Sequence, residues 1–183
     1  MTMRSCFESL AGAFEEHAAQ DSGIFELADY HRDRIESVFD SQPDLPLYQD
    51  TVAGFLQGFM ITIMYYASAD SLEQQEVFPA LGGALLLGQD LSIDTSPAAL
   101  TAGLGFIERA VVALADSEPT DIAYQRVQEA FELAPDVPMN CASLGGFCLG
   151  VLYATPYVAG PAKNQTALMS AACQHGRELL ARL

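Results

Sequence analysis

The sequence predicts an all-α protein built from two tandem four-helix units, residues 1–92 and 93–183, packed together as one globular domain. Three observations carry this expectation. Apolar residues recur at helical spacing, and no segment sustains the period-two alternation of a strand, so no sheet is predicted. Two long stretches, Thr51–Ala69 and Val137–Ala162, contain no charged residue. The chain also repeats itself: shifted by 92 positions, Arg34–Ala67 lies over Arg126–Ala159 without a gap, with 10 of 34 positions identical. Chance would supply about two such matches, and the shared residues include Pro43/Pro135, Pro46/Pro138, Gly54/Gly146 and Gly58/Gly150.

The elements follow in order. Phe7, Leu10, Ala11, Phe14 and Ala18 mark a first amphipathic helix. A second runs from about Ile24 to Asp40 and stops before Ser41-Gln42-Pro43, because proline ends helix propagation. The third starts near Asp44 as N-cap, with Pro46 in its first turn, and continues to about Ser68. Ser71 is a candidate cap for the fourth, in which Pro79 bends or delays the helix. The second unit repeats the order over about Pro97–Ala115, Asp121–Ala134, Val137–Val158 and Asn164–Leu183, giving eight helices in all. Pro156 stands where the first unit has Met64 and should kink or shorten the later third helix.

The third helices are expected at the centre. Both carry Gly-Phe-x-x-Gly, at Gly54–Gly58 and Gly146–Gly150. A glycine inside a helix costs about 1 kcal/mol relative to alanine. Glycines four apart remove the side chains that keep two backbones separated. The expectation is that the two third helices cross at Gly54, Gly58, Gly146 and Gly150 on a pseudo-twofold axis, wrapped by the other six. Alternatively, each glycine pair admits a bulky neighbour such as Phe39 or Phe131.

Composition excludes several classes. Half of the residues are hydrophobic and 17% charged, which is not the composition of a disordered chain. A net charge of −16, with a single lysine, Lys163, argues against binding nucleic acid through phosphates. The excess is uneven: residues 1–92 hold 15 acidic and 3 basic residues, residues 93–183 hold 9 and 5. It reads either as a solubility device or as an acidic face for a basic partner. The N-terminal MTMRSCFESL has the pattern of neither a secretory signal nor a transit peptide. Four cysteines without a CxxC pair argue against a disulfide framework or a cysteine-rich zinc site, and the expected compartment is the cytoplasm. The uncharged stretches are long enough for membrane spans, but Gln57, Thr62, Asn140, Ser143 and Pro156 interrupt them and no Lys/Arg clusters flank them. Helices enclosed by other helices explain them better.

No catalytic or metal-binding motif emerges. Glu-x-x-His, HExxH, the P-loop, GxGxxG and GxSxG are all missing, so no catalytic residue, metal ligand or cofactor is assigned. His31, between Leu27 and Ile35, and His175, between Ala172 and Leu179, read as core histidines. Cys141 and Cys148 lie seven apart on one helix, about 10 Å by the helical rise, and read as small buried hydrophobes. Tyr65, Tyr66, Tyr153 and Tyr157 gather near the ends of the third helices, where they either finish the core at its wet margin or line a pocket.

The reading that follows is a non-enzymatic acidic helical interaction protein, an adaptor, chaperone-like factor or inhibitor, binding a basic partner protein. The alternative is a small-molecule binder or unusual enzyme with a pocket between the two units, lined by Tyr65, Tyr157, Tyr153 and Met64. A homodimer is compatible with the apolar content, while nucleic acid and membrane are not expected partners.

Overall fold

A computed structural model describes residues 3–67, 76–91, 120–158 and 163–182. Within them the chain forms seven α-helices: α1 (Met3–Ala18), α2 (Ser22–Asp40), α3 (Gln49–Tyr66), α4 (Val77–Gln89), α5 (Asp121–Glu132), α6 (Cys141–Tyr153) and α7 (Lys163–Leu180). A 3₁₀ turn, Thr155–Tyr157, follows α6. Among the described residues the only extended pairing is an isolated antiparallel bridge, Ala67 to Val158, between the chain segments leaving α3 and α6. The helix expected over Pro97–Ala115 lies outside the described residues.

Local chemistry sets the helix starts. Asp21 caps α2, its carboxylate accepting from Gly23 N–H at 3.0 Å, and Thr120 caps α5 through Ala123 N–H at 3.1 Å. The third helix begins four residues later than Asp44 would place it, with Tyr48 as its N-cap. Pro43 and Pro46 disfavour helical geometry at the residues before them. The Thr51 hydroxyl then takes over: it accepts from Tyr48 N–H at 3.0 Å and lies 2.9 Å from the Pro46 carbonyl. Ser143 repeats this at α6, accepting from Asn140 N–H at 3.0 Å and donating to the Pro138 carbonyl at 2.7 Å, while Asn140 Oδ1 caps Ser143 N–H at 2.9 Å. Helix α6 therefore starts at Cys141, not Val137, and it ends at Tyr153 because Pro156 cannot continue it. In α4, Pro79 falls in the first turn, where a missing N–H is tolerated.

Helices α3 and α6 form the central pair. Residues Cys141–Val151 of α6 are all buried, as is most of α3. The two backbones touch. A Cβ at Gly54 would strike the main chain of Ser143, and one at Gly58 would strike that of Phe147. From the other side, Gly146 abuts Thr51 and Phe55, and Gly150 abuts Phe55 and Phe59. Each would meet opposing main chain, not the rings of Phe39 or Phe131. Phe55, Phe59 and Phe147 fill the space beside the contact, each buried essentially completely and contributing roughly 1.5–3 kcal/mol.

The remaining helices wrap this pair. Helix α4 packs on α1, α2 and α3, and α7 packs on α5 and α6, while α5 also reaches α3. Small residues on α4 allow close approach: the Phe7 and Phe14 rings lie over Gly88 and Gly82, and Gly83 faces the α2 backbone at Ala28 and Arg32. Two inter-helix polar ties are buried. Gln49 donates to the Gly88 carbonyl at 3.0 Å and Gln165 to the Val151 carbonyl at 3.1 Å. No described helix is long and apolar enough to cross a membrane.

Candidate functional site

A strongly apolar groove of about 290 Å³ is walled by α1, α3, α4 and the α5–α6 linker. Phe7 and Leu10 come from α1, Leu56 and Met60 from α3, Leu81 and Leu85 from α4, and Ala134 and Val137 from the linker. Among the described lining residues, only Cys6 and Gln57 fall outside the aliphatic and aromatic set. Its rim is open to solvent: Leu10 is 50% exposed and Met60 36%. The groove exists because α4 is apolar around its whole circumference. One face covers α2, another receives α1, and the remainder, Leu81 and Leu85, faces outward beside α3.

A second, more polar cavity of about 490 Å³ opens between α5, the linker and the end of α7. The His175 imidazole stacks on the Tyr124 ring at 3.8 Å, and its Nε2 lies 3.2 Å from the Tyr124 carbonyl. The Tyr124 hydroxyl donates to Glu178 at 2.6 Å, and Gln174 donates to the same carboxylate at 3.0 Å. Those bonds stabilise the ionised carboxylate, so Glu178 titrates below the usual range; the bond to Glu178 raises the Tyr124 phenol.

A third cluster joins α2 to α6. His31 is fully buried, and its Nδ1 lies 2.8 Å from the Tyr153 hydroxyl. Its Nε2 has no hydrogen-bond partner among the described residues, and the Glu76 carboxylate stands 3.7 Å away. The tautomer protonated on Nε2 lets the phenol donate to Nδ1 and points the N–H towards Glu76. Burial lowers the His31 pKa, opposed by Glu76 and reinforced by Arg34. Burial also pushes the Tyr153 phenol well up. The phenol thus remains a donor throughout the physiological range.

The tyrosines singled out in the sequence do not converge on one pocket. Tyr65 leans against α5, its hydroxyl donating to Glu129 at 2.9 Å and the Arg126 guanidinium lying 4.0 Å over its ring. Arg126 also donates to the Tyr66 hydroxyl. Tyr153 turns to His31, and Tyr157 is buried with its ring 5.7 Å from Phe59. Met64 is 60% exposed. None of Tyr65, Tyr153, Tyr157 and Met64 lines either cavity. His31 and His175 are both buried and hydrogen-bonded, and Cys141, Cys148 and Cys173 are buried and outside any disulfide. Burial raises the pKa of Cys141 and Cys148, which keeps them as thiols.

The groove residues Leu10, Met60, Leu81 and Leu85 were not separable in the sequence from ordinary core positions. The available signal was the unbroken apolar run of α4, too hydrophobic to be covered by two neighbours alone. Among the described residues no three His, Cys, Asp or Glu side chains are placed to hold a metal ion. No protein-family model, characterised protein or solved structure matches the chain.

Proposed function

We propose that this chain is a non-enzymatic, acidic helical interaction protein that binds a partner protein through the α1–α3–α4 groove. The carrying observation is the groove itself: a concave apolar surface with Leu10 half exposed at its rim, on a chain whose net charge is −16. Exposed apolar concavities on a highly charged molecule are where partners bury area. The buried thiols fit a reducing compartment, the cytoplasm.

The proposal includes the duplicated architecture, with units 1–92 and 93–183 related by a pseudo-twofold axis at the α3–α6 crossing. Contact reciprocity supports it. Moving each partner by 92 converts the Gly54–Ser143 approach into Gly146–Thr51, and Gly58–Phe147 into Gly150–Phe55. The Thr51 and Ser143 hydroxyls bond equivalent groups under the same shift. Beyond the third helices the offset becomes 88. Arg32–Asp90, at 2.9 Å, then corresponds to Tyr124–Glu178, and the Gln49 bond to the Gly88 carbonyl corresponds to the Cys141 contact with that of Gly176 at 3.8 Å. A connection four residues shorter in the second unit accounts for the change: eight residues separate Ala67 from Glu76, and four separate Ala159 from Asn164.

A small-molecule binder is the second reading, favoured by the 490 Å³ cavity at Tyr124, His175 and Glu178, a volume within the range of ligand sites. Affinity capture from lysate of the source cells tests the first reading. A partner held by the wild type and lost from a Leu10→Gln/Met60→Gln variant is expected. Capture that ignores the groove, together with thermal stabilisation by a metabolite, would favour the second.

A further inference from the structure

Resting on that reading of the groove, we infer that its occupant is a cationic amphipathic helix carrying aliphatic anchors at i, i+3 or i+4, and i+7. Three observations select this partner chemistry. The groove runs between helices, and no sheet edge is exposed among the described residues, so strand addition has no template there and helix-in-groove docking is the mode that fits. Its volume, about 290 Å³, sits at the lower edge of the roughly 300–1,000 Å³ typical of whole small-molecule sites, which suits a row of anchor side chains.

Charge decides the rest. Residues 1–92, which supply the α1, α3 and α4 walls of the groove, hold 15 acidic and 3 basic residues. The whole chain adds a field of the same sign, at −16. A second copy would bring another −16 to the contact, and an anionic amphiphile would bring its carboxylate to a strongly acidic chain. A helix with aliphatic residues on one face and Lys or Arg on the other satisfies both the apolar floor and the acidic field around it.

Three fluorescein-labelled 16-residue peptides test the inference by anisotropy: a Lys/Leu amphipathic helix, its scrambled isomer, and a Glu/Leu helix of the same pattern. The Lys/Leu helix is expected to bind at least tenfold tighter than either other peptide, to gain helicity on binding, and to weaken as salt rises. Leu10→Gln/Met60→Gln should weaken it at least tenfold, whereas Ile122→Gln, 60% exposed on α5, should leave it unchanged. Both groove residues are partly exposed, so the variants keep the fold; unchanged thermal melts check this.

Equal binding of the scrambled peptide would reduce the effect to bulk charge and overturn the inference. So would insensitivity to the groove variant, displacement of the peptide by dodecanoate at lower concentration, or dimerisation through the groove. If these peptides fail while cellular capture still depends on Leu10 and Met60, the inference falls and the interaction reading stands. If capture itself ignores the groove, the reading falls too.

Discussion

Gly54 and Ser143 approach so closely that no carbon atom fits between the α-carbon of the first and the main chain of the second. The opposing atoms belong to backbone, which cannot rotate aside as a side chain would. Gly54→Ala should therefore destabilise the protein by about 3 kcal/mol or more, above the usual range for an added methylene in a core. Gly12 provides the contrast. Nothing lies within 4 Å of a Cβ placed there, so Gly12→Ala should stabilise α1 by about 0.5–1 kcal/mol. Denaturant unfolding of the two variants checks the opposite signs, and a mild Gly54→Ala would mean that the crossing lies elsewhere.

Thr51 and Ser143 hold equivalent N-terminal turns by hydroxyl bonds to the main chain. Thr51→Val preserves shape and removes only the oxygen, leaving Tyr48 N–H without its acceptor. The expected loss is about 1–2 kcal/mol, and Ser143→Ala should lose a similar amount. Thermal denaturation of both variants measures this. A loss confined to one site would break the functional equivalence of the two turns.

The His31–Tyr153 pair makes stability depend on pH. The groups around the imidazole are Glu76 at the start of α4, Arg34 and Tyr30 on α2, and Tyr153 on α6. Because burial lowers the folded-state pKa, the unfolded chain binds a proton first as pH falls below about 6.5. The contribution is thus complete above that pH and is lost progressively below it, until the folded form protonates as well. Melting temperatures of wild type and His31→Gln at about pH 7.5 and about pH 5.5 test the sign. The wild type should fall further; an identical fall in both would remove His31 as a contributor.

Cys6 lines the groove and is partly exposed, whereas Cys141, Cys148 and Cys173 are buried. Alkylation of the native protein should modify Cys6 at least tenfold faster than the other three, since reagent reaches those only through opening. The Lys/Leu peptide should slow Cys6 modification. Mass spectrometry of the modified sites reads both effects, and protection at a buried thiol without protection at Cys6 would place the peptide elsewhere.

Much of this architecture was legible beforehand where a single local force dominates. Pro43 and Pro135 punctuate the helices, and the glycine pairs at four-residue spacing mark a close backbone approach. Boundaries moved where two signals competed. Asp44 was the better-looking cap, but two nearby prolines and the Thr51 hydroxyl deferred the helix to Gln49. Tyr65 lies against Glu129 and Arg126, whereas Tyr153 reaches His31 and shares the Phe59 ring with Tyr157, contacts that only tertiary packing decides. The groove could not be read from one helix at all, because Leu10, Met60, Leu85 and Val137 come from four segments whose meeting only tertiary packing decides.

A photo-cross-linking residue placed at Met60 in the source cells tests the central claim most directly. Discrete adducts whose linked peptides map to a basic amphipathic segment of a partner, missing when the probe stands at Ile122, are the predicted result. Lack of any adduct, or the same adducts from both positions, would contradict it.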